Sequence, residues 1–156
     1  MPGDTLQSAL EREHREIDRG IAAFIAGLSD GAAATPLVEA MQALRRHIYL
    51  EEYFLFPPLR AAGMAMPIMV MLREHGELWR TMDTLSALLG DGADSRRLSD
   101  ASDELLQLLD RHNSKEEPII YPVAGSALTA EASTELTRFL ATGQTPEGWV
   151  CQQARR

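Results

Sequence analysis

The sequence predicts an all-α protein: one up-down-up-down four-helix bundle with a short extra C-terminal helix. Apolar residues recur at three- and four-residue steps in four long segments, no run alternates at period two between turn signals, and the connections are short enough to favour antiparallel neighbours. The first segment carries Leu6, Leu10, Ile17, Ile21, Phe24 and Leu28, and Asp4 with Gln7 three residues on reads as its capping box. It stops between Gly27 and Gly31. The second opens on Thr35-Pro36, read as N-cap and first-turn residue. It runs through Leu37, Met41, Leu44, Ile48 and Leu55 until Pro57-Pro58 ends or bends it. The third begins near Pro67, carries Ile68, Met71, Leu72, Leu78, Met82, Leu85 and Leu89, and closes at Gly90-Asp91-Gly92. The fourth follows Asp94-Ser95, carries Leu98, Leu105, Leu108 and Leu109, and breaks where Pro118 removes a backbone donor. A shorter amphipathic piece with Leu128, Ala132, Leu136, Phe139 and Leu140 caps the bundle or meets a second copy of the chain.

A chain of 156 residues, 45% apolar and 24% charged, suits a single domain, here a bundle over 1–142 and an irregular tail over 143–156. Its net charge of −8 argues against a general grip on phosphate backbones or anionic lipid, so neither nucleic acid nor membrane is expected as a partner. The single Cys151 cannot form an internal disulfide or a cysteine-based metal site, which fits a reducing cytoplasm. Met1 to Leu10 has no apolar signal-like core. The longest apolar stretch, Ala61 to Leu72, is interrupted by Gly63 and Pro67 and is too short to span a bilayer.

The chain is written twice. Arg12-Glu13-His14-Arg15-Glu16-Ile17-Asp18-Arg19 matches Arg73-Glu74-His75-Gly76-Glu77-Leu78-Trp79-Arg80. Downstream, His47-x3-Glu51-Glu52 ends in Phe56-Pro57, and His112-x3-Glu116-Glu117 ends in Tyr121-Pro122. All four histidines of the protein occupy these repeated positions, each on the apolar stripe of its helix. Residues i and i+4 share a helix face, so Glu51 and Glu116 stand beside His47 and His112 and aim inward.

An unpaired carboxylate in an apolar interior costs several kcal/mol. Two of them, with four imidazoles, form the donor set of a pair of divalent or trivalent ions: two histidines on each ion, both carboxylates bridging, the ions neutralising the glutamates. Nitrogen and oxygen donors point to borderline ions, and a carboxylate-bridged pair in a bundle core points to iron, with manganese and zinc as alternatives. The candidate metal ligands are His14, His47, Glu51, His75, His112 and Glu116.

The order H…HxxxE…H…HxxxE, with proline after each aromatic residue, resembles the hemerythrin-like, or HHE cation-binding, family over roughly residues 5 to 124. The resemblance implies those same six ligands and an oxo or hydroxo bridge between two irons. The oxygen carriers of that family use a fifth histidine and an aspartate, which this chain lacks. Its four-histidine, two-glutamate set is similar to the bacterial di-iron proteins of iron-centre repair, associated with nitric oxide and oxidative stress. Those usually carry a cysteine-containing domain before the bundle, and the residues before His14 contain no cysteine.

The remaining polar residues read more plainly. Glu13, Glu16, Glu74 and Glu77 with Arg12, Arg15, Arg73 and Arg80 read as surface charge pairs. Glu52 and Glu117 read as solvated or as outer partners of the ligands, and Asp18, whose repeat partner is Trp79, is not taken as a ligand. Tyr49, Tyr53 and Tyr121 read as packing residues, with electron or proton relay as the alternative. Met64, Met66, Met69 and Met71 read as adaptable core filler. No nucleophile is available once the histidines are assigned. The functional expectation is a stress-linked di-iron protein meeting a small diatomic ligand or peroxide, with an unidentified redox partner. A peroxide- or nitric-oxide-consuming enzyme and an oxygen- or iron-responsive sensor are the alternatives, and a homo-oligomer remains open.

Overall fold

The computed structural model describes residues 5–155 and is helical throughout, with no strand among the described residues. Four long helices form the body: α1 (Leu6–Gly27), α2 (Thr35–Leu50), α4 (Ala65–Gly90) and α5 (Ser95–Lys115). Three shorter ones, α3 (Phe56–Leu59), α6 (Tyr121–Ala127) and α7 (Ala130–Thr142), complete it. Asp94 caps α5, its carboxylate accepting from the Arg97 amide at 2.8 Å. The predicted cap of α1 differs: Asp4 lies outside the described residues, and Thr5 accepts from the Ser8 amide at 3.0 Å. Thr35 is the first residue of α2 rather than its cap, which falls on Ala34, and Pro36 sits in the first turn, where its missing donor costs nothing.

The prolines expected to end or bend α2 and to break α5 widen the helices instead. After α2 and after α5 the chain continues through five-residue π turns, Glu51–Leu55 and Glu116–Ile120, before α3 and α6 begin. A proline ring clashes with the carbonyl four residues back, here Tyr53 for Pro57 and Pro118 for Pro122, so the tight α turn opens. The Phe56 and Tyr121 amides then donate five residues back, to the Glu51 and Glu116 carbonyls. The chain direction changes at a further π turn, Arg60–Met64, where Gly63 adopts φ 98°, a left-handed conformation costly to any other residue. Helical assignment is thus continuous over Thr35–Gly90. By length and hydropathy this run would pass as a membrane span, where the sequence reading found none, but Gly63 breaks it and the apolar stripes of α2 and α4 line the core.

The interior has two apolar clusters. One gathers Ile17, Ile21, Leu44, Ile48, Leu78, Met82, Leu105 and Leu109, and the other Leu10, Leu50, Leu55, Leu59, Leu72, Ile120 and Leu136. Every histidine falls at their junction: His14 between Leu10 and Ile17, His75 between Leu72 and Leu78, His47 after Leu44, and His112 after Leu109. A thin polar layer therefore crosses an otherwise apolar core.

Two peripheral pieces are held tightly. The α7 helix buries Leu136 and Phe139, and Arg46 donates to the Leu140 and Gly143 carbonyls, both at 2.8 Å, and to that of Phe139, closing the C-terminus of α7. Among its described residues the tail contains only one 3₁₀ turn, Gln152–Ala154, but it is packed. Trp149 stands edge-on to Tyr49 and Trp79, and Cys151 is fully buried. Gly76 permits this approach, since a Cβ there would meet the Gln153 Cβ at 2.8 Å. Its counterpart in the first repeat is Arg15. The methionines divide: Met71 is buried in the core, while Met66 and Met69 are largely exposed and do not fill it.

Candidate metal centre

All six predicted ligands meet in the polar layer, and none is more than 3% exposed. Their metal-binding atoms form two groups, His14–His47–Glu51–Glu116 and Glu51–His75–His112–Glu116, each with all its donor atoms within 4.8 Å of one another. The glutamates belong to both. Glu51 Oε2 lies 3.1 Å from His47 Nε2 and its Oε1 3.0 Å from His75 Nε2. Glu116 Oε1 lies 3.1 Å from His14 Nε2 and its Oε2 3.3 Å from His112 Nε2. Each carboxylate thus turns one oxygen to each group, the arrangement a bridge between two cations needs.

The outer nitrogens show a second regularity. Glu13 faces His47 Nδ1 at 2.8 Å, Glu52 faces His75 Nδ1 at 2.8 Å, Glu74 faces His112 Nδ1 at 2.9 Å and Glu117 faces His14 Nδ1 at 2.7 Å. The pairing closes a ring around the bundle, because each carboxylate belongs to one helical segment and holds the imidazole of the next. A carboxylate at Nδ1 fixes the ring orientation and directs Nε2 inward. Glu13 and Glu74 are therefore not the surface pairs that the sequence suggested, although each also meets a cation, Arg46 and Lys115 respectively. Glu52 and Glu117 take the outer-partner role rather than the solvated one. The available signal was the repeat itself: a glutamate directly precedes His14 and His75, and another directly follows Glu51 and Glu116. Glu16 and Glu77 take no part in the ring, and Asp18 belongs to neither donor group.

Tyr121, read from the sequence as a packing residue with a relay role as the alternative, stands in the site itself. Its hydroxyl lies 2.9 Å from His14 Nε2, 3.0 Å from His47 Nε2, 2.5 Å from Glu51 Oε2 and 3.0 Å from Glu116 Oε1. Tyr49 and Tyr53 stack on each other away from the site, as packing residues do.

The electrostatics follow from this crowding. Burial works against the charged forms of His47, His75, His112, Glu51 and Glu116, but their partners outweigh it. Glu51 and Glu13 raise the His47 pKa well above the ordinary range, and Glu116 with Glu74 pushes His112 up to about 10. Glu51 and Glu52 raise His75. Glu116, opposed by burial, is held well below the usual carboxylate range by His112 and His14, and Glu51 is lowered by His47 and His75 against burial and the Glu116 charge. Burial, then the two glutamates, raise Tyr121.

Glu116 Oε2 is fully buried with no hydrogen-bond partner, although His112 Nε2 is only 3.3 Å away. An orphaned carboxylate oxygen in a core is costly. One that shares a pocket with imidazole nitrogens and a second carboxylate fits a cation, and borderline ions accept that donor set. Comparison with known protein families matches residues 5–124 to the hemerythrin HHE cation binding domain. No curated protein and no solved structure matches the chain.

Proposed function

The chain belongs to the hemerythrin HHE cation-binding family, and from that premise we propose that its buried layer holds two iron ions and meets a small diatomic ligand or peroxide. His14 and His47 would hold one ion, His75 and His112 the other, and Glu51 and Glu116 both. The observation that supports this most directly is the sharing of both glutamates between the two donor groups, one oxygen turned to each. Bound iron would supply reversible one-electron chemistry and an open coordination position for a small ligand.

The protein's own contribution is positional. The four outer carboxylates fix the imidazoles, the apolar clusters on either side keep bulk water from the layer, and the bridging glutamates set the spacing. We read the bundle as up-down-up-down. In support, α1 and α4 run from the Leu10 cluster towards the Ile17 cluster, while α2 and α5 run the opposite way. A hollow of about 300 Å³, lined by Met66, Pro67, Val70, Met71, Ile119, Ile120 and Lys115, whose ammonium pairs with Glu74, opens one helical turn from His75, and its exposed lining is almost wholly apolar. Such a surface favours an uncharged gas over an ionic substrate.

The test is iron analysis of protein made in iron-replete cells, with its near-ultraviolet spectrum. The expected result is two irons per chain, reduced in His47→Ala and Glu116→Ala. An iron-free protein that takes up none on anaerobic addition of ferrous salt would refute the reading. Turnover of nitric oxide or peroxide that is lost in Glu116→Ala would make the protein an enzyme, and stoichiometric adducts without turnover would make it a binder.

A further inference from the structure

The inner layer has a pseudo-twofold chemistry that fails at one atom. Phe56 and Tyr121 occupy equivalent places in the repeat, each at the end of H-x3-E-E-x3-aromatic-P and each directly after a π turn. Phe56 stacks on His75 with ring centroids 5.4 Å apart and planes 21° apart, and Tyr121 stacks on His14 at 5.5 Å and 27°. The rings superpose in role, and only the hydroxyl differs. That hydroxyl does not point to solvent or to backbone. It points into the His14–His47 donor group.

Its distances are informative. Donor atoms about 2.1 Å from an octahedral ion stand about 3.0 Å from their neighbours at right angles. The Tyr121 oxygen is 2.9, 3.0, 2.5 and 3.0 Å from His14 Nε2, His47 Nε2, Glu51 Oε2 and Glu116 Oε1. Two edges of that set, His14–Glu116 and His47–Glu51, are each 3.1 Å. Four donors near 3 Å from a fifth, with two of their own edges also near 3 Å, match the spacings of a square with an apex, and the apex is the phenol oxygen. An oxygen filling the ion's own place would instead lie about 2.1 Å from each donor.

We propose that Tyr121 is a seventh side chain of the metal centre, its oxygen a fifth protein donor to the ion held by His14, His47, Glu51 and Glu116. This rests on the di-iron reading above. As the oxygen–iron bond forms, the phenolic O–H breaks and its proton leaves to water; no electron is transferred. The consequence is a pair of unequal ions. On an octahedral count the protein would leave one position unfilled on the Tyr121 side and two on the His75–His112 side, faced by the donorless Phe56, so that with a shared bridge only the latter keeps a place for a ligand. A small ligand therefore enters on the His75–His112 side, next to the apolar hollow.

The experiment is resonance Raman and visible spectroscopy of the full-length ferric protein, with bound iron counted in the same sample. A ferric phenolate gives a visible charge-transfer band and enhanced tyrosinate ring vibrations, and both are expected in the wild-type protein. Both should vanish in Tyr121→Phe, which keeps the ring stacking and should retain two irons. Phe56→Tyr should strengthen the band by placing a second hydroxyl at the other ion. Two bound irons without tyrosinate vibrations in the wild-type protein would overturn the role of Tyr121 and leave the di-iron reading intact. So would a band that persists in Tyr121→Phe. Absence of bound iron would overturn both.

Discussion

The outer carboxylates should contribute to metal affinity in an order set by their burial. Glu52 is 6% exposed, Glu74 16%, Glu13 22% and Glu117 35%. Each holds one imidazole by its Nδ1 hydrogen, and loss of such a partner typically weakens metal binding 10- to 100-fold, about 1.4 to 2.8 kcal/mol. Water can replace the acceptor at an exposed position and cannot at a buried one. Glu52→Gln is the most severe case, because Glu52 also accepts from the Gln152 amide at 2.9 Å, and a carboxamide cannot accept on both arms. We expect Glu52→Gln near the 100-fold end and Glu117→Gln at or below the 10-fold end, with Glu74→Gln and Glu13→Gln between. Zinc, which has no redox chemistry, is a suitable probe. Competition against a fluorescent chelator gives the affinities, and far-ultraviolet circular dichroism shows whether each variant keeps its helices. An effect of Glu117→Gln equal to that of Glu52→Gln, or losses below threefold throughout, would refute the ring of carboxylates as the device that aims the imidazoles.

Three further outcomes follow from particular side chains. Burial, and then the nearby Glu52 charge, push the Cys151 thiol from 9.0 up to about 11. The folded chain therefore keeps a proton that the unfolded chain loses between those values, and the stability it contributes is complete below pH 9 and disappears as pH rises to about 11. A thiolate absorbance titration of the native protein should have its midpoint near 11, and a midpoint near 9 would contradict the buried position. Leu105→Ala, at a wholly buried position, should destabilise the fold by about 2 to 5 kcal/mol, seen as a lower urea midpoint at unchanged slope. Gly76→Leu should lift the tail from α4 and release the Gln152 amide from Glu52. Trp149 emission should then shift to the red with metal affinity reduced, whereas an unchanged spectrum would mean that the tail is not held there.

The amino-acid sequence by itself determined the class of fold and the inner donor set. A period of 3.6 places His14, His47, His75 and His112 on apolar stripes, and the i+4 step puts Glu51 and Glu116 beside two of them whatever the rest of the chain does. Local spacing is sufficient there, because both partners ride on one helix. The four outer pairs were not legible in this way, since each joins residues on different helices, 23 to 103 positions apart, and only the packing of neighbours selects which glutamate meets which ring.

Tyr121 was hidden for another reason. It stands nine residues after His112, two and a half turns of an α-helix, which is the opposite face. The π turn at Glu116–Ile120 adds a residue to one turn and rotates everything beyond it by about 100°, bringing the phenol round towards the donors. The prolines announced a disturbance in the helix, but its geometry, a widened turn rather than an end, was decided by the tertiary structure. There the aromatic rings gain burial against His75 and His14 that a broken helix would have forfeited.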